Sequence, residues 1–268
     1  MKRMLDSDSP FTRTAMEGMR ALVCGASKGI GRATAKAFAE AGCKVILCSR
    51  DEEELAGLCA SLPGPGHSIL SLDLENTAAV KVAISALVED EPIQVLVNNS
   101  AGPPGGPLLD NEVEEFEAPF KRHLHAAHTI TKLLVPGMVE SGMGRIVNII
   151  STSVREPILN IGLSNTLRGA MASWSKSLSR ELPECITINN ILPGFTNTDR
   201  LESLAASIES KTGRSKEDIH STWLSQVPIG RLINPEETAN AVVFLCLPHS
   251  GGIRGVSLAV DGGRMRSI

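Results

Sequence analysis

The sequence predicts an α/β protein: a Rossmann-like, doubly wound parallel sheet of seven strands, folded as a single domain in a three-layer α/β/α sandwich. Three observations carry this. Seven short β-rich runs recur with helical stretches between them. The runs are mostly continuous in apolar residues rather than alternating, as strands covered on both faces must be. A glycine-rich turn also joins the first run directly to a helix-forming segment, which is how a strand–helix–strand unit with a right-handed crossover begins.

The first strand is 21–24, and Gly25-Ala26-Ser27-Lys28-Gly29-Ile30-Gly31 follows it. The helix former RATAKAFAEA comes next, with Gly42 as its C-cap candidate. Residues 44–49, 68–72, 94–97, 145–150, 186–192 and 256–260 supply the other six strands. Asn234-Pro235-Glu236-Glu237 opens the last helix with an N-cap, a proline at the first helical position and acids in the first turn. Only 200–232 is irregular, a polar helical pattern read as an insertion over the carboxyl edge of the sheet, where open α/β sheets bind ligands. The expected organisation is an N-terminal arm (1–18) and a dinucleotide-binding domain (19–268) that carries a helical substrate lid at 196–232.

With 26 basic against 30 acidic side chains, the net charge of −4 lacks the strongly basic face of a nucleic-acid binder. Residues 1–18 are charged throughout, without the apolar centre of a secretory leader, and no run of eighteen apolar residues follows. A cytoplasmic protein with no membrane partner is expected. Cys24, Cys43, Cys48, Cys59, Cys185 and Cys246 form no CxxC or Cys/His pattern and read as small buried hydrophobes in a reducing compartment. The chain contains no tyrosine, which excludes any mechanism that needs a phenol as proton donor.

Glycines after the first strand let backbone N–H groups approach a diphosphate at the helix N-terminus, where unpaired donors and the dipole favour negative charge. Gly25, Ser27, Lys28, Gly29, Ile30 and Gly31 are therefore candidate cofactor contacts; the alternative is glycines that only tighten the turn. Ser49 and Arg50 end the second strand, where NAD binders place an acid on the ribose hydroxyls. Lys28 and Arg50 favour a 2′-phosphate instead, so NADP(H) is preferred, and the neighbouring Asp51 keeps NAD(H) possible.

Together these landmarks resemble the short-chain dehydrogenase/reductase family over roughly 18–263. The matching segments are the glycine turn, Asp73-Leu74, Asn98-Asn99-Ser100-Ala101-Gly102, Gly144-Arg145-Ile146-Val147-Asn148-Ile149, Pro193-Gly194 and Val260-Asp261-Gly262-Gly263. The resemblance implies that Asp73 and Leu74 bracket an adenine, that Asn99 and Gly102 support the cofactor ribose, and that Pro193, Gly194 and Thr196 or Thr198 meet the nicotinamide. Ser100 is an extra residue relative to the family's NNAG turn.

The resemblance breaks at the Asn, Ser, Tyr and Lys set. Ser151 keeps the serine position; thirteen residues on stands Ser164 in place of Tyr, four further Arg168 in place of Lys, and His123 takes the Asn position. A serine hydroxyl is a poor acid and a guanidinium does not exchange protons near pH 7, but Ser164 and Arg168 at i and i+4 share a helix face. Arg168 can act there as a fixed cation for ribose hydroxyls, an anionic substrate or a developing oxyanion. His123 is the candidate replacement acid; the alternative is a packed histidine bonded to a backbone carbonyl. His123, His125 and His128 diverge around a helix, so no metal is expected. Arg155, Glu156 and Asn160 can line a cleft or be solvated loop residues, Lys176 reads as structural, and Trp223 and Leu224 fit either a lid or a core.

The expected function is an atypical 3-oxoacyl reductase-like oxidoreductase that moves a hydride between NADP(H) and a small carbonyl or alcohol substrate, as a homodimer or homotetramer. The rival reading is a cofactor-binding pseudoenzyme serving as nicotinamide sensor or scaffold. A lyase in the same cleft has no positive signal.

Overall fold

Parallel pairing in the order β3-β2-β1-β4-β5-β6-β7 builds one seven-stranded sheet. Its strands are β1 Arg20–Cys24, β2 Lys44–Ser49, β3 Ser68–Ser71, β4 Val95–Asn98, β5 Gly144–Ile149, β6 Ile186–Pro193 and β7 Ser257–Val260, each end within one residue of expectation. The computed structural model describes residues 12–267.

Successive strand side chains point to opposite faces, and each face has its own helical layer. Ala21 and Val23 of β1 pack with α1 (Gly29–Glu40), α2 (Glu52–Ser61) and α9 (Pro235–Cys246), through Phe38, Leu55 and Leu245. Leu22 and Cys24 face the other way, toward α3 (Thr77–Asp90), α5 (Ala126–Glu140) and α6 (Gly162–Glu181), through Ile84, Leu134 and Trp174. Burying one such aliphatic or aromatic side chain stabilises the fold by about 1.5–3 kcal/mol, so both layers must be covered for the sheet to persist. The doubly wound sandwich follows from that requirement.

Local signals place the helices. Gly42 takes φ +89° just beyond α1, as a residue without Cβ can. Asp51 Oδ1 accepts the Glu54 N–H at 3.2 Å to start α2, and Asn234 with Glu237 forms the capping box of α9. Residues 1–11 of the expected arm lie outside the described residues. Within residues 12–18, Met16 is fully buried, and its N–H donates to Ala41 O at 3.0 Å.

Two departures from regular crossovers sit at the carboxyl edge. A short helix α4 (Glu117–Phe120) runs through a π turn, Lys121–His125, into α5. Within the 200–232 stretch, α7 (Asp199–Thr212) and α8 (Lys216–Leu224) form a small core of Leu201, Ala205, Ile219 and Trp223, with Phe195 stacked on Trp223 at 5.4 Å. Among the described residues no helix is long and apolar enough to cross a membrane.

A row of side-chain amides crosses the sheet near this edge. Asn98 Nδ2 donates to Asn148 Oδ1 at 2.8 Å, Asn148 Nδ2 to Asn190 Oδ1 at 2.9 Å, and Asn190 Nδ2 to Ser257 Oγ at 3.1 Å. These four residues are register partners on β4, β5, β6 and β7, and the three asparagines are buried. Replacing Asn148 by Leu strands a buried donor on Asn98 and a buried acceptor on Asn190, each worth roughly 1–3 kcal/mol. Urea denaturation of Asn148→Leu is therefore expected to show a loss of about 2–5 kcal/mol, against under about 1 kcal/mol for an exposed polar control such as Ser203→Ala.

Candidate active site

The order β3-β2-β1-β4 reverses the direction of winding between β1 and β4, which opens a crevice at the carboxyl ends of these strands. A cleft of about 1240 Å³ runs from there along β5 and β6 to α7 and α8. Its volume exceeds the usual range for one small ligand and suits a dinucleotide together with a second molecule.

The glycine turn forms one end. A Cβ on Gly25 would lie 2.6 Å from Asn99 Nδ2, and one on Gly31 would collide with the Gly25 carbonyl oxygen. Asn99 Nδ2 in turn reaches the carbonyls of Cys24 and Gly25, both at 3.3 Å, so the turn and the residues after β4 are held as one piece. Ser27, Lys28, Gly29 and Ile30 line the trough, and Thr198 faces it from the other side, 3.1 Å from where a Gly29 Cβ would stand. Bare backbone at a helix start is what a diphosphate requires, so these residues fit a dinucleotide. Gly31 is buried behind this lining, where it permits the close approach of α1 to the turn.

Ser49, Arg50, Asp73 and Leu74 line the outer part of the same end, and Arg50 Nη1 stands 3.9 Å from Asp73 Oδ2. The Asp51 carboxylate is turned onto the start of α2 as its cap. Asn99, Gly102, Pro193, Gly194 and Thr196 continue the lining toward the centre, where Gly194 lies against Asp261 too closely for any side chain.

At the centre the expected i, i+4 pair comes together. A Cβ on Gly102 would be 3.5 Å from Arg168 Nη2 and 3.8 Å from Ser164 Oγ. Arg168 is only 9% exposed and donates from Nη1 to Ile149 O at 2.9 Å. Burial, with the nearby positive charge of Arg200 added, lowers its pKa to about 10, still cationic at neutral pH. Ser151 lines the cleft after β5; its Oγ accepts the Ser153 N–H at 3.1 Å, which leaves its hydroxyl proton to donate.

His123 departs from expectation. It does not line the cleft but a small space of about 10 Å³ behind it, shared with Asn98, Ser100 and Arg168. Its Nε2 is 3.0 Å from Ala101 O, which can only accept, so Nε2 carries the proton and Nδ1 accepts from Ser100 Oγ at 2.9 Å. Burial above all, then the charges of Arg168 and Arg122, hold its pKa well below the ordinary imidazole value. A neutral ring whose proton is committed to a carbonyl is not the replacement acid. The π turn explains the difference, because spacing along the chain locates a helical position but not its direction.

Of the loop candidates, Asn160 lines the cleft with φ +61°, whereas Arg155 bonds Ser257 O and Glu156 accepts from the N–H groups of Arg266 and Ser267. Lys176 donates to Gly255 O at 2.9 Å, away from the cleft. Arg200 and Arg264 were not anticipated. Arg200 Nη2 donates to Pro103 O at 2.7 Å, and the Arg264 guanidinium lies 4.8 Å above the Phe195 ring. Their only sequence signal is position, just beyond Thr198 and Gly263.

Comparison with known proteins agrees with this geometry. The family model described as enoyl-(acyl carrier protein) reductase matches residues 25–264. The 3-oxoacyl-[acyl-carrier-protein] reductase of Vibrio cholerae serotype O1 is 31% identical over 252 residues, 92% of this chain and 98% of that protein. L-Xylulose reductase of Homo sapiens is 30% identical over 250 residues, 92% and 97% of the two chains. The crystal structure of L-sorbose reductase from Gluconobacter frateurii, complexed with NADPH and L-sorbose, superposes with a TM-score of 0.89 at 26% identity, covering 96% of this chain and 100% of that one.

The environment of His123 has a consequence for stability. Its folded pKa lies below its unfolded one, so the unfolded chain takes up the proton first as pH falls through about 6.5, and stability drops there. Thermal unfolding between pH 7.5 and 5.5 should show that decline, and His123→Asn should flatten it. An unchanged slope in the variant would contradict the buried neutral imidazole.

Proposed function

Because the chain belongs to the short-chain dehydrogenase/reductase family of oxidoreductases, we propose that its cleft binds NADP(H), with NAD(H) possible, and moves a hydride between that cofactor and a small carbonyl or alcohol substrate of the 3-oxoacyl reductase-like class. The observation that carries this reading is the continuity of one cleft from the glycine cradle to Ser151, Ser164 and Arg168. The nicotinamide, when bound, supplies or accepts the hydride.

In this reading Ser151 donates its hydroxyl proton as a hydrogen bond to the substrate oxygen. Arg168, cationic and held by Ile149 O, opposes the negative charge that grows on that oxygen, with Ser164 beside it. With no phenol in the chain and His123 neutral behind the cleft, the proton that completes reduction comes from water entering the open cleft. Loss of a tuned acid slows such a reaction by ~10² to 10⁴.

Cofactor preference rests on Lys28 and Arg50 at the outer end, with Asp51 occupied as a helix cap; the NADPH complex of L-sorbose reductase supports the same choice. The 196–232 stretch serves as the substrate lid. Exposed Phe244 on α9 and Leu258 on β7 support a homodimer or homotetramer built through that edge.

Single-turnover oxidation of NADPH across a panel of carbonyl compounds tests the reaction, and transfer is expected at rates roughly 10² to 10⁴ below those of tyrosine-bearing relatives. Tight NADPH binding with no transfer to any compound would instead assign the cofactor-sensing role. In the same material Arg50→Gln should weaken NADPH binding roughly tenfold while leaving NADH within about twofold, since only the former presents a phosphate to the guanidinium.

A further inference from the structure

Although the chain carries a net charge of −4, eight cations and three acids line its cleft. Two of the acids, Asp51 and Asp73, lie at the outer end of the cofactor trough. Beyond Gly102 the lining holds Arg168, Arg200, Lys211, Arg214 and Arg264 against Asp199 alone. Several of these cations are fixed by neutral groups: Arg168 on Ile149 O, Arg200 on Pro103 O, Lys211 on Gly105 O and Arg214 on Thr222 Oγ1. Neither Arg168 nor Arg200 has a carboxylate within ion-pair distance among the described residues.

Arg168 is a buried charge with no carboxylate partner, which is costly unless something anionic joins it, and Arg200 brings a second, exposed guanidinium beside it. Here they converge on one point. A Cβ on Gly102 would be 3.5 Å from Arg168 Nη2, 4.0 Å from Arg200 Nη2 and 3.8 Å from Ser164 Oγ. Arg168 is nine-tenths buried with Nη2 directed there, and Arg200 arrives from the start of α7.

Resting on the oxidoreductase reading of this cleft, we propose that its substrate is a small 2-oxo or 3-oxo carboxylate whose carboxyl group is clamped between Arg168 and Arg200 over Gly102. The anion site adjoins Ser164 and shares Arg168 with the reacting oxygen of the proposed reaction, so an anionic group close to the reacting carbon fits it best. A carboxylate can be joined to a carbonyl carbon directly or through one methylene, whereas a phosphate ester needs at least an extra carbon and oxygen. A planar carboxylate also matches the donor fork of a guanidinium. The residue standing where a lysine was expected thus takes part in choosing the substrate.

Calorimetric titration of oxamate and malonate, with oxamide and malonamide as uncharged counterparts, into the protein saturated with NADP⁺ tests this without turnover. The carboxylates are expected to bind at least roughly tenfold more tightly than the amides. Arg200→Gln should weaken carboxylate binding roughly 10- to 100-fold, with NADP⁺ affinity kept within about twofold and Arg200→Lys recovering part of the loss. Equal binding of charged and uncharged compounds, or no effect of Arg200→Gln on the carboxylates, would overturn the proposal. So would loss of NADP⁺ affinity in place of carboxylate affinity, which assigns Arg200 to the cofactor. If NADP⁺ itself fails to bind, the oxidoreductase reading falls separately; the same titrations on the unliganded protein then decide the clamp, carboxylate binding lost in Arg200→Gln supporting it and no carboxylate binding overturning it.

Discussion

Strands β4, β5, β6 and β7 are held in register by one row of three buried amides and a serine hydroxyl, and each part of the site hangs a few residues beyond a rung of it. Asn98 is followed by the turn 99–102 that supports the glycine cradle. Past Asn148 and the end of β5 comes Ser151; past Asn190, the Pro193–Thr198 loop; past Ser257, the Asp261–Arg264 turn. A buried amide has a donor and an acceptor that must both be satisfied, so one register for all four strands satisfies the row and a slipped strand leaves polar groups stranded. The row therefore does for the carboxyl edge what apolar packing does for the middle of the sheet. It sets where loops begin, and with that the spacing of Asn99, Ser151 and Thr198 across a cleft more than one strand wide.

The architecture was legible because two strong regularities coincide: continuous apolar strands and helix signals at fixed offsets. Even a short strand such as β4 is found at its expected place, since Val95, Leu96 and Val97 point alternately to two covered faces. At the site, legibility tracked backbone chemistry. The glycine turn and the Ser164–Arg168 pair follow from chain spacing, because a turn needs its glycine and a helix repeats. The direction of His123 did not follow, because one π turn rotates everything after it, and neither did Arg200, because no spacing rule links a loop cation to a helix from another part of the chain. The amide row was hidden for a similar reason. Its members are separated by 42 to 67 residues, and only the register makes them neighbours.

Two apparent irregularities explain each other. The turn after β4 carries one residue more than the pattern it resembles, and the helical position opposite carries histidine in place of asparagine. The extra residue, Ser100, donates to the imidazole, and the imidazole donates to Ala101 in the same turn. The larger ring fills the space made by the longer turn and ties it to the π turn ahead of α5 through two hydrogen bonds. A charged imidazole there would face Arg168 and Arg122, and its Nδ1–H would lose the hydroxyl's proton as a partner, so the pairing works only with a neutral ring.

That neutrality leaves electrostatics as what the site has to offer a reaction. Giving up a tuned acid adds roughly 3 to 5.5 kcal/mol to a barrier. A hydrogen bond from a charged donor is worth roughly 1.5–3 kcal/mol, more where water is excluded. A buried guanidinium and an adjacent hydroxyl directed at one oxygen thus recover only part of that amount, provided the guanidinium stays charged. Arg168 meets that condition: burial brings its pKa down to about 10, which a lysine ammonium in the same place would approach from a lower starting value and with a stronger tendency to neutralise. In the proposed reaction an oxyanion held in this way is longer lived, which gives water time to supply its proton. Under the proposed reaction, arginine in place of lysine and serine in place of tyrosine are therefore coherent as a pair, in which the task of donating a proton is replaced by the task of tolerating negative charge until one arrives.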